Sequence, residues 1–115
     1  MRAIIISPEG AAASILAEKV RRLALEMSFT LEICVADELE ALEKVNEFDM
    51  ILLAPALRFL RGKMHEFGAK NDAVVKVISS NAFGSLDVDA IFRIILSASL
   101  GKKARNDDSS RYMFQ

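Results

Sequence analysis

With one cysteine in 115 residues, Cys34, the chain has nothing for a disulfide to join. The strand-like neighbours of that cysteine read as those of a packed thiol in a reducing cytoplasm, not a reactive one. No apolar run approaches the ~18 residues of a membrane span, and Pro8-Glu9-Gly10 interrupts the first apolar stretch too early for a signal-peptide core. Neither sign of charge dominates. With 15 Lys and Arg against 16 Asp and Glu, there is no electrostatic argument for a nucleic acid or a membrane as partner, and no membrane insertion is expected. The nucleotide signatures Gly-x-x-x-x-Gly-Lys and Gly-x-Gly-x-x-Gly are both missing. A phosphoaspartate receiver would end its central strand on a carboxylate, where this chain has Leu53-Ala54-Pro55. A cysteine phosphatase loop would carry cysteine and arginine at Ser7 and Ala13. No metal and no cofactor is implied.

What is present is an alternation of short apolar runs with helical patterns. Ala3 to Ile6 is an apolar run that breaks at Ser7-Pro8-Glu9-Gly10 and resumes as a helix from Ala11 to about Ser28, with Leu16, Val20, Leu23 and Met27 on its buried stripe. Glu18 and Arg22 stand one turn apart on that helix, placed for an ion pair. Thr30 to Val35 alternates with period two and reads as an edge strand. Asp37 to Glu40 resembles a capping box for a short helix carried by Leu39, Leu42 and Val45. Met50 to Leu53 lacks alternation, as a central parallel strand does. Pro55 opens a third helix with Leu57, Leu60, Met64 and Phe67 inward, ended by Gly68. Ala73 to Ile78 is the fourth strand and Ser79 to Ser85 a loop. Asp87 caps a last helix that stops at Gly101, leaving residues 102–115 as a mobile tail beyond a single domain, 1–101.

Such an alternation implies an α/β three-layer sandwich. Its four-stranded parallel sheet has the order 2-1-3-4, with right-handed crossovers and helices on both faces. Ligands of these sheets collect beyond the carboxyl ends of the strands, so the loops Ser7 to Ser14, Ala54 to Arg58 and Ser79 to Gly84 should face one another. A helix that starts directly after the first strand turns its N–H groups toward that loop, a setting suited to an anion.

The residues resemble the lactose/cellobiose class of enzyme IIB components of the phosphoenolpyruvate-dependent sugar phosphotransferase system. That family opens with Cys-x-x-Gly-Met-Ser-Thr-Ser, matched by Ser7-Pro8-Glu9-Gly10-Ala11-Ala12-Ala13-Ser14. Its Asp-x-x-Leu-Leu-Gly-Pro-x-x-Arg-Tyr stretch is similar in register to Asp49 through Phe59, and its aromatic-Gly pair followed by Asp is echoed by Phe83-Gly84 and Asp87. The resemblance implies a phosphoryl carrier in the cytoplasm: the loop cysteine takes a phosphoryl group from a phosphohistidine on a IIA partner and passes it to sugar held by a membrane IIC partner. Ser7 stands at the cysteine position, and Arg58 matches an arginine that could contact the anion. A serine hydroxyl needs a base to become a nucleophile, whereas a thiol at a helix N-terminus ionises readily. His65 falls toward the end of the third helix, away from the loop, and reads as a surface residue. Ala12 and Ala13 replace family hydroxyls, and Glu9 adds negative charge where a phosphoryl group would sit, or caps the first helix with its carboxylate. These departures imply a degenerate copy of the carrier. The alternative is a regulatory or protein-interaction domain that keeps the IIB surface without accepting phosphate.

Overall fold

The computed structural model describes residues 1–8, 11–44 and 47–112, and the side chains of all of these except 67–71 and 102–112. The strands are β1 (Arg2–Ile6), β2 (Glu32–Ala36), β3 (Met50–Leu53) and β4 (Val74–Val77). All three pairings are parallel and the order is β2-β1-β3-β4, so the runs without alternation lie in the centre and the alternating strand lies on an edge. The helices are α1 (Ala11–Glu26), α2 (Glu38–Lys44), α3 (Arg61–Asn71), α4 (Ser80–Gly84) and α5 (Val88–Tyr112), with a 3₁₀ stretch at Pro55–Leu60.

Each face of the sheet has its own core, as the period of two along a strand requires. Ala3, Ile5, Met50, Leu52 and Ile78 meet Leu16 and Val20 of α1 and Ile91 and Ile95 of α5. Ile4, Ile6, Ile51, Leu53 and Val75 meet Ala41 of α2, Leu57 and Leu60 of the 3₁₀ stretch, and Met64 of α3. Phe29, just before β2, sets its ring edge-on to Phe92 of α5 at 5.7 Å, tying the loop after α1 to the last helix.

Three caps fix the helix starts. Asp37 Oδ1 accepts from Glu40 N at 2.9 Å while Glu40 Oε1 accepts from Asp37 N at 3.5 Å, the reciprocal pair of a capping box. Ser79 Oγ accepts from Ala82 N, and Asp87 Oδ1 from Ala90 N, each at 3.1 Å. The pairing of Glu18 with Arg22 forms at 3.4 Å, and Arg21 joins the same carboxylate from the next position.

Several local expectations give way to tertiary context. α1 ends at Glu26 and Met27 is exposed, because Ser28 turns the chain at φ 55°. Leu39 is 76% exposed, and α2 is held down instead by Ala41, which is fully buried. The third helix begins as a 3₁₀ stretch with a kink at Leu57 (φ −107°, ψ 19°). Gly68 does not end it: α3 runs to Asn71, and the chain turns at Asp72 with φ 55°. Ser79 to Ser85 is not a bare loop, since Ser79 caps α4 within it. α5 passes through Gly101 to Tyr112; a glycine costs about 1 kcal/mol in a helix interior but does not forbid one. The expected inward positions Val45 and Phe67 lie outside the described residues and side chains.

Leu52→Ala, in the strand covered on both faces, is expected to cost about 2–5 kcal/mol in urea unfolding, while Leu39→Ala stays within about 0.5 kcal/mol of the parent.

Candidate functional site

The parallel ladders run one residue past each strand end. Ser7 N donates to Ala36 O at 3.0 Å, Ala54 N to Ile6 O at 2.9 Å and Ile78 N to Leu53 O at 2.8 Å. These bonds hold the loops after β1, β3 and β4 at one level, and they enclose a cleft of ≈ 340 Å³. Its walls are Ser7 and Pro8 from the first loop, Ala54 to Ala56 from the second, and Ser80, Phe83 and Gly84 of α4. The three expected loops therefore do face one another.

Ser7 is 7% exposed, and its hydroxyl donates to the carbonyl of Pro8 at 3.0 Å. Among the described residues, no charged side chain and no histidine lines the cleft. Arg58 is exposed and turned back on its own turn, with Nη1 donating to Pro55 O at 3.1 Å; it does not line the cleft. His65 is exposed on α3. Of the other loop positions, Ala11 is exposed, Ala12 half-buried and Ala13 buried in the core beside Leu16 and Val20. Ser14 is exposed on a separate shallow groove of α1 with Ile15, Glu18, Lys19 and Arg22. Glu9 and Gly10, with the expected helix cap by the Glu9 carboxylate, lie outside the described residues.

A family model described as "PTS system, Lactose/Cellobiose specific IIB subunit" matches residues 2–93. The chain belongs to this IIB family. Two solved structures share the fold. The lactose-specific IIB component domain of the phosphoenolpyruvate:carbohydrate phosphotransferase system from Streptococcus pneumoniae superposes with a TM-score of 0.76 at 13% identity, over 85% of this chain and 96% of that one. The cellobiose-specific IIB component from Borrelia burgdorferi gives 0.68 at 21% identity, over 85% and 90%. No curated protein sequence matches. In keeping with a IIB domain, no described helix is long and apolar enough to cross a membrane.

The third wall of this IIB chain's cleft was expected as the loop Ser79 to Gly84, and what sequence reasoning missed is that it is helical. Ser79 accepts from Ala82 N and so starts α4, which brings Ser80 and Phe83 to the cleft; a serine that can cap was the available signal.

Cys34 lies in edge strand β2, away from the cleft lining, and is partly buried. Burial pushes its thiol pKa up, Lys44, Arg2 and Arg21 pull it partly back, and Glu47 adds to the rise. The folded chain thus holds that proton more tightly than the unfolded one. The contribution to stability is intact below the ordinary thiol range and is lost as pH rises from there through the raised value of the folded chain. Urea unfolding between about pH 7 and pH 10 should show this loss, and Cys34→Ser should reduce it; native alkylation should be slower than in denaturant.

Proposed function

We propose that this IIB chain works within sugar phosphotransfer as a docking partner of IIA-like and IIC-like proteins and relays phosphoryl groups poorly or not at all. The observation that carries the reading is the chemistry of the cleft: the candidate phosphoryl acceptor, Ser7, is a hydroxyl already donating to Pro8 O, with neither base nor cation beside it among the described lining residues. A neutral hydroxyl attacks phosphorus only when a base takes its proton in the same step. Nor do the described lining residues offer a cation for an incoming dianion, since Arg58 would have to leave Pro55 O to supply one. The loop Pro8 to Ser14 contributes one hydroxyl besides Ser7, that of Ser14, and it faces another groove.

A regulatory role without transfer is supported by a second observation. Leu39 at the start of α2 and Phe59 in the 3₁₀ stretch are 76% and 71% exposed, and both follow the carboxyl ends of strands, as the cleft does. Exposed apolar side chains around a neutral cleft suit contact with a protein surface more than a phosphoryl group. Residues 1–101 suffice for this proposal as the IIB unit, with 102–115 an appendage to it.

Incubation with a phosphorylated lactose- or cellobiose-class IIA protein, followed by intact-mass measurement, should leave the chain without an added phosphoryl group while the two proteins still associate. Ser7→Cys should accept the group, but roughly tenfold or more slowly than a IIB domain with the full family loop. Stoichiometric phosphorylation of the parent chain at Ser7 would overturn the degenerate reading.

A further inference from the structure

The two edges of the sheet are finished differently. In β2, Glu32, which bonds back to Met1 O, and the residues in phase with it face β1, so Ile33 and Val35 turn their backbone groups outward. That edge is blunted: Arg21 Nη2 donates to Ile33 O at 2.7 Å. In β4, Val74 N donates to Asp49 O and Ile78 N to Leu53 O, which puts Val74, Lys76 and Ile78 in phase with β3 and turns the N–H and C=O groups of Val75 and Val77 outward. Among the described residues nothing is hydrogen-bonded to them; Val77 is half-buried, whereas Val75 is 4% exposed, so the accessible part of the edge is at Val77. Alongside runs a groove of ≈ 300 Å³ lined by Lys76 on the α5 side of the sheet and by Arg93, Ile94 and Ser97 of α5. Both cations are exposed, and no ion pair among the described residues involves either.

We infer that the β4 edge is a docking site for an extended acidic segment of a partner protein, which adds a fifth strand. The outward N–H and C=O of Val77 bond to the incoming backbone, and every second side chain of that strand projects over the groove, where a carboxylate meets Lys76 and Arg93. The same cations disfavour a second copy of this chain on the edge, since pairing β4 with β4 would bring like charges together. Ile94 supplies the apolar floor.

The test uses a peptide of alternating valine and glutamate and its lysine counterpart, titrated into the ¹⁵N-labelled full chain. The acidic peptide should slow hydrogen exchange at the Val77 amide and shift Lys76 and Arg93, with binding that weakens as salt rises. The lysine peptide should do neither. The double variant Lys76→Glu, Arg93→Glu changes exposed side chains only and should bind the acidic peptide roughly tenfold or more weakly. Val77→Pro removes an outward N–H without touching the bonds to β3, a substitution that edge strands tolerate, and should also weaken binding. Absence of added protection at Val77, equal binding of both peptides, or self-association through β4 in the absence of peptide would each overturn the inference.

Discussion

β1 has a strand on each side and a helical layer on each face, and the cleft's geometry follows from that burial. Ile4, Ile5 and Ile6 are inaccessible to solvent, so their backbone groups have no water to bond and must find partners in β2 and β3. That requirement fixes register, and register carries Ser7 to the same level as Ala54 and Ile78. A cleft built on bonds of 2.8–3.0 Å between strand ends is held by the most protected part of the molecule. Its position is therefore insensitive to what the loops contain, and the lining can change while the IIB architecture stays.

Among the described residues, uncharged groups wall the cleft, and the Ser7 hydroxyl donates its proton to a neighbouring carbonyl. The available cation is turned to the outside of its own turn. The described lining is uncharged, and exposed Leu39 and Phe59 follow strand ends at the same end of the sheet.

The topology was legible in the sequence because burial leaves a direct mark: Met50 to Leu53 shows no alternation, Thr30 to Val35 does, and the sheet order follows. Caps at Asp37 and Asp87 were legible for a similar reason, since a short polar side chain ahead of an apolar pattern has one favourable use. What could not be read was context. Gly68 and Gly101 resemble helix stops, but a glycine halts a helix only where the chain needs a left-handed turn; here Ser28 and Asp72, not glycines, make those turns after α1 and α3. Ala13 sits in the loop motif by sequence and in the core by geometry, because the first turn of α1 already faces the sheet. In the site itself, the positions around Ser7 were legible, but the direction of Arg58 and the contribution of α4 depend on rotamers and a short helix that no periodicity announces.

At the opposite end of the sheet, Arg2 binds Glu32 at 2.8 Å, donates from its side chain to Glu47 O at 3.0 Å, lies over the Phe48 ring at 5.3 Å, and donates from its backbone N–H to Asp49 Oδ2 at 2.8 Å. All of these partners lie 30 to 47 residues later in the chain. The clamp is thus made of distant contacts alone, and so is the pairing of β1, whose two neighbours both follow it in sequence. Loop closure has to be completed before either contributes, which makes sheet assembly slow relative to helix formation. During synthesis the isoleucine-rich β1 segment emerges well before either strand that will cover it, and for that interval Ile4, Ile5 and Ile6, inaccessible in the folded chain, have no partner to bury them.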